Sequence, residues 1–164
     1  MVWPTRKLPL LREVRNKKNK KMNEEIKALV EFAKNSKNAV NSKLQISSID
    51  EVEAEFLELK TGFKLLGYKR IIDKFSINHT LKNHGNSKTE ALRGQIAITD
   101  QDFELIPIIV ISKNVIYTSI NKMGNDLILY EAIIDNTFYY VEEVRKGKKE
   151  LCMTTMYKRK PTIW

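Results

Sequence analysis

The chain has 164 residues, 42% of them apolar and 30% charged, with a net charge of +9; it is long enough for one packed core and too short for two ordinary domains. Its single cysteine, Cys152, excludes an intramolecular disulfide framework and a paired-cysteine metal site. No apolar run approaches the ~20 residues that cross a bilayer, and the N-terminal segment is basic without a signal-peptide stretch, so no membrane partner is expected.

Residues 1–21 hold eight Lys and Arg against Glu13 alone, a local charge of +7, with two prolines and the run Asn16 to Lys21. This segment reads as a basic linker or arm, with Trp3, Leu8, Leu10 and Leu11 available to dock on a neighbouring domain, and residues 22–164 read as a single domain. A helix is expected from an Asn23 cap, with Ile26, Leu29, Val30 and Ala33 as its apolar stripe. Leu44 to Ser47 alternate as a short strand does. Ser48 with Glu51 forms a capping-box pattern for a helix that carries Val52, Phe56 and Leu59 on one face and stops near Thr61-Gly62. Residues 67–75 read as a strand leading into a short helix from Ile77 to His84.

Thr99 and Asp102 form a second capping-box pattern, opening a short helix that Pro107 is expected to end. Beyond Val115 the apolar and aromatic runs 127–134, 138–144 and 151–157 are separated by Asp135-Asn136 and Lys146-Gly147-Lys148, which is a β-meander. Residues 145–160 carry seven basic residues against Glu150, a charge of +6, which leaves −4 for residues 22–144. Positive charge at both ends fits a polyanionic partner, of which phosphate is the commonest. Helices first and strands last predict an α+β fold, N-terminal helices on a C-terminal antiparallel sheet of about four strands.

Two stretches carry candidate chemistry. In Ile77 to Gly85, the residues Ile77, Leu81 and His84 share one helical stripe, with Gly85 as the residue after the helix, so His84 closes the last turn while His79 and Lys82 point elsewhere. Histidine exchanges protons near neutral pH, which suits acid/base work, and the helix C-terminus favours its cationic form. The two histidines do not share a face and Cys152 does not complete a tetrahedral set, so no metal site is expected. Neither a GxSxG nucleophile motif nor a Gly-rich phosphate loop is present, and no cofactor is expected. In the second stretch, Leu151 to Lys160, strand alternation puts Leu151, Met153, Thr155 and Tyr157 on one face and Thr154, Met156 and Lys158 on the other. Thr155 and Lys158 then meet one phosphate only if the strand ends or bulges between them.

The succession His79-x-x-Lys82-x-His84-Gly85, Arg93 to Thr99 with Asp102, Ile106-Pro107, Phe138 to Arg145, and Leu151 with Thr154 to Lys158 resembles the phage-encoded barnase/EndoU/colicin/RelE-like nucleases over roughly residues 44–160. The resemblance implies a barnase-like fold and a metal-independent ribonuclease toxin that makes a 2′,3′-cyclic phosphate. It also implies His84 as general base or acid, Thr155 on a non-bridging phosphate oxygen, and Lys158, Arg93 and Lys82 as neutralising cations. His79 or Tyr157 would be the second proton-transfer group, and Gln95 and Thr154 further substrate contacts. RNA, with transfer RNA among the candidates, is the implied substrate. An acidic immunity protein and a larger phage or toxin delivery polypeptide N-terminal to this domain are the implied partners, and the cytoplasm of a target bacterial cell is the implied place of action. Two other readings stay open: a non-catalytic nucleic-acid-binding module and a protein-interaction module of a phage particle.

Overall fold

A computed structural model describes residues 7–37 and 40–161, the side chains of residues 7–16 excepted. Helix α1 spans Lys7–Asn35. It starts well before the Asn23 cap expected from sequence: lysine and arginine are good helix formers, and Pro9 sits in the first turn, where it breaks no helical hydrogen bond. Lys17 to Lys21 are exposed on this helix, while Ile26, Leu29, Val30 and Ala33 form the buried stripe expected of them. The expected docking side chains of Trp3, Leu8, Leu10 and Leu11 lie outside the described residues.

Strand β1 (Lys43–Ser48) leads to α2 (Glu51–Thr61). The cap of α2 is Asp50, whose carboxylate accepts the Glu53 amide, rather than Ser48. Its buried residue is Leu57, with Phe56 half-buried, whereas Val52 and Leu59 face solvent. Gly62 ends α2 at φ 79°, the left-handed conformation that glycine adopts without a steric penalty. Strand β2 (Lys69–Asp73) runs into α3 (Lys74–His84), where Asp73 and Ser76 form a reciprocal cap, and α4 (Ser87–Leu92) follows. A 3-10 helix, Asp100–Leu105, is opened by the Thr99 amide donating to Asp102, as the capping pattern predicts. Pro107 then sits in the first turn of α5 (Ile106–Ser112) and starts that helix instead of ending its predecessor.

The remaining strands are β3 (Asn114–Ile120), β4 (Asp126–Ile134), β5 (Asn136–Arg145) and β6 (Glu150–Arg159). The fold is α+β, and the sheet has six strands in the order β1-β2-β6-β5-β4-β3, antiparallel except for the β2/β6 pair. The two strands beyond the expected four are β1 and β2, which join the meander through β2 lying parallel to β6. One face of the sheet presents Ile128, Tyr130, Phe138, Tyr140, Leu151, Met153 and Met156 to the core, where they meet Ile26, Leu57, Phe103 and Ile106 from the helical side. The opposite face, with Leu129, Tyr139, Val141, Thr155 and Tyr157 only half-buried, is the open face.

Strand β6 carries a bulge that decides what lies on that face. Val141 pairs with Thr155 but Glu142 pairs with Met153, so Thr154 is the extra residue. Met153 and Met156 therefore both face the core, and Thr155, Tyr157 and Arg159 line up on the open face. Simple alternation puts Met153 with Thr155 and Tyr157; the bulge separates them.

Candidate active site on the open sheet face

Strand β2 pairs with β6 only as far as Cys152, so the rest of that edge of β6 is taken up by other elements. Helix α3 packs along β6, and the segment after α4 closes the far end, where the Ile96 amide donates to the Lys158 carbonyl at 2.9 Å and the Ile98 amide to the His84 carbonyl at 2.7 Å. The C-terminus of α3 is thus tied to the end of the last strand. Gly85 sits there at φ −95°, so its freedom from a side chain, not a left-handed backbone, is what the position uses: a Cβ would lie 2.4 Å from the Leu81 carbonyl oxygen.

His84 is the residue these ties position. Ile77 and Leu81 anchor its stripe, and the imidazole reaches the open face, with 16% of its side chain exposed. Its Nδ1 lies 3.1 Å from Glu90 Oε2, and Glu90 is fully buried. A carboxylate accepts only, so Nδ1 donates to it and Nε2 is the nitrogen left for other chemistry. Glu90 is itself held by Arg93, whose Nη1 donates to Glu90 Oε1 at 3.0 Å and to the Asn83 carbonyl at 2.9 Å.

On its other side, His84 meets an aromatic row. The His84 and Tyr157 ring centroids are 5.3 Å apart at 31°, and Tyr157 stacks on Tyr139 at 4.9 Å and 15°. The Arg159 guanidinium lies over both tyrosines, 5.5 Å from the Tyr139 centroid and 6.0 Å from that of Tyr157. Burial and then the neighbouring Glu131 carboxylate push the Tyr139 hydroxyl above its ordinary pKa, so it stays protonated. Imidazole, two phenol rings and a guanidinium together make an aromatic and cationic surface of the kind with which proteins bind unpaired nucleotides.

Residues 45–164 match the family model of the phage-Barnase-EndoU-ColicinE5/D-RelE like nuclease3. The chain belongs to this nuclease family. No curated protein and no solved structure matches it. Among the described residues, no three His, Cys, Asp or Glu side chains cluster so as to hold a metal ion, and no helix is long and apolar enough to cross a membrane.

Within this nuclease domain the expected site residues separate into two groups. His84, Tyr157 and Thr155 come to the same side, Thr155 with its Oγ1 buried and without a hydrogen-bond partner. Lys158 does not join them. The bulge lies before Thr155 rather than between Thr155 and Lys158, so Lys158 points into the core side, 2.8 Å from Asp102 and over the Phe138 ring. Its charge is matched there, and the expected convergence of Thr155 and Lys158 on one phosphate does not occur. Arg93 has its Nη1 engaged by Glu90 and braces the carboxylate. Lys82 is exposed on α3. Gln95 has a buried, unpartnered Oε1 in the segment that closes the site. His79 is exposed beside Asn83 and, with Thr154, lines a cavity roughly one to two helical turns before the His84 ring.

Glu90 and Arg159 were missed by sequence reasoning. Glu90 is six residues from His84 across a helix-to-helix turn, and the available signal was the Asn86 cap that starts α4 there. Arg159 was available from simple strand alternation, which puts it on the face of Thr155 and Tyr157.

Proposed function

We propose that this nuclease is an endoribonuclease that cleaves through the ribose 2′-hydroxyl, leaving a 2′,3′-cyclic phosphate, with the strand of RNA lying along the open sheet face. The observation that supports this best is the line Glu90–His84–Tyr157, a buried carboxylate fixing one imidazole nitrogen while the other side of the ring adjoins the stacking surface. RNA supplies its own nucleophile, so the protein needs only to move protons and balance charge.

In this reading His84 Nε2 takes the 2′-hydroxyl proton as O2′ forms its bond to phosphorus, and the P–O5′ bond breaks as the 5′-oxygen gains a proton. Tyr157, in ring contact with His84, is the proposed donor of that second proton. Arg159 takes the place of Lys158 as the cation beside the phosphate, and Thr155 is the hydroxyl that β6 supplies on the same face. Lys82 offers an outlying backbone contact. The stacked tyrosines hold unpaired bases, which favours single-stranded or loop RNA, transfer RNA loops included.

The same reading makes the domain a toxin that acts in the cytoplasm of a target bacterium, carried there by a longer phage or effector polypeptide. An acidic immunity protein is the natural inhibitor of a site with Arg159 at its centre and a chain charge of +9. An RNA oligonucleotide with a single 2′-deoxy sugar at the mapped cleavage position tests the chemistry. The all-ribose chain is expected to be cut and the substituted one to survive at that position; equal cleavage of both contradicts the proposal.

A further inference from the structure

A second cavity, of about 340 Å³, opens between the start of α3 and the bulge of β6, lined by Asn41, Asp73, Phe75, His79, Arg145 and Thr154 among others. It lies alongside the His84 site. His79 precedes His84 by roughly 7–8 Å of helix rise, and Thr154 precedes Tyr157 by roughly 10 Å of strand. Both elements that form the site, α3 and β6, therefore continue into the cavity.

The chemistry of its walls selects a class of ligand. Arg145 donates to Glu143 at 2.7 Å and also faces Asp73, so no surplus positive charge is left for a phosphate. Phe75 is 53% exposed at the rim and offers a flat apolar face. The floor is Asp73, only 2% exposed. Its Oδ1 accepts the Ser76 amide at 2.8 Å, and its Oδ2 accepts from Asn41 Nδ2 at 3.1 Å and from the Cys152 thiol at 3.5 Å. Burial and then Asp73 itself push the Cys152 thiol up, so it remains a protonated donor. A carboxylate has about four acceptor positions, so these three donors leave one. A neutral, flat ligand with an N–H group to spare fits such a pocket.

We propose that this cavity is a nucleobase subsite for a nucleotide adjoining the scissile phosphate, in which the base lies against Phe75 and donates an exocyclic amino hydrogen to Asp73. Its position beside the cleavage site rests on the reading of His84 given above, but binding there does not require cleavage. Bases that carry an amino group are favoured. Uracil is disfavoured because its N3–H is flanked by two carbonyl oxygens that would face the carboxylate.

Calorimetry with two matched pairs of nucleoside monophosphates isolates the contact: cytidine against uridine, and guanosine against inosine, whose members differ at the amino position. With the full chain, the amino-bearing member of each pair is expected to bind about tenfold tighter, the factor that one hydrogen bond to a charged group supplies. Asp73→Asn keeps the helix cap, since asparagine caps as well as aspartate, and is expected to abolish the preference. Phe75→Ala is expected to weaken both members of a pair, and His84→Ala to change neither affinity. Equal affinities within each pair, no binding of any nucleotide, or a preference that survives Asp73→Asn overturns the proposal. A chain that cleaves RNA yet shows no such preference refutes the base pocket and leaves the His84 site standing, whereas base-selective binding without cleavage refutes the catalytic reading alone.

Discussion

Replacing His84 by alanine is expected to lower the single-turnover rate of RNA cleavage about 10³-fold in a chain that stays folded at the assay temperature. The size follows from the role: a positioned general acid or base contributes roughly 10²–10⁴ to rate. A stability loss of about 1–3 kcal/mol should accompany the substitution, because the fully buried Glu90 loses its imidazole donor while Arg93 still holds its other oxygen. Glu90→Gln should have a smaller effect, roughly 10–100-fold, the loss that accompanies removal of a group orienting a reactive histidine. The amide still fills the space, but the fully buried carboxylate that receives Nδ1–H is gone, so the ring loses its fixed tautomer. A His84→Ala chain that cleaves as fast as the parent removes this histidine from the reaction. A Glu90→Gln chain slower than His84→Ala places Glu90, not His84, at the centre of the chemistry.

The second large effect belongs to the other face of the sheet. Arg70, 1% exposed, donates through Nε to Glu142 Oε2 at 2.7 Å and through Nη2 to Glu142 Oε1 at 3.1 Å, while its Nη1 reaches Glu53 at 2.8 Å. Lys113 also donates to Glu53. Glu142 is fully buried. Burial opposes the Arg70 charge, and Glu142 restores it, so the guanidinium ends well above its ordinary range. Burial and then Arg70 pull Lys113 down. Glu142→Ala leaves Arg70 buried with Glu53 as its remaining partner, and is expected to cost about 3–5 kcal/mol, roughly 10 °C or more in thermal midpoint for a domain of this size. The double change Arg70→Met with Glu142→Leu removes both charges together and should lie closer to the parent than Glu142→Ala does, because no stranded charge remains. A Glu142→Ala loss below about 1 kcal/mol, measured by denaturant titration, would show that water or a neighbouring group takes over the role of the lost carboxylate.

What the sequence revealed and what it hid follow from the range of the interactions involved. Local patterns were readable: the Ile26 to Ala33 stripe, the helix closing at His84, the Thr99–Asp102 cap and the three runs that became β4, β5 and β6 all rest on contacts a few residues apart. The start of α1 was missed because a basic run reads as solvated chain, although its residues are compatible with helix. Strands β1 and β2 were seen as strands but not as members of the main sheet. Their place depends on a parallel register between Lys69–Ile71 and Glu150–Cys152, a pairing across about half the chain that no local pattern encodes.

The site was half legible for the same reason. His84 could be placed by helical spacing, but its carboxylate partner lies across a turn, and helix α4 had no apolar periodicity to announce it. The bulge at Thr154 had the largest consequence. Nothing in Met153-Thr154-Thr155-Met156 distinguishes a bulged strand from a regular one, yet that extra residue moves Met153 to the core face and Thr155, Tyr157 and Arg159 to the open one. Lys158 stays with Met156 on the core side, paired with Asp102. The convergence of Lys158 with Thr155 needs a bulge between them; the strand is regular from Thr155 to Arg159, so the cation on that face is Arg159.

Cleavage of RNA through the 2′-hydroxyl on the open sheet face is the chemistry on which every role proposed for His84, Tyr157 and Arg159 depends. Incubating the full chain with RNA in excess EDTA and analysing the new ends by mass spectrometry tests this directly. Ends carrying 2′,3′-cyclic phosphate opposite free 5′-hydroxyls, absent with His84→Ala, are the predicted result. Ends carrying 5′-phosphate, or cleavage that EDTA abolishes, would contradict it.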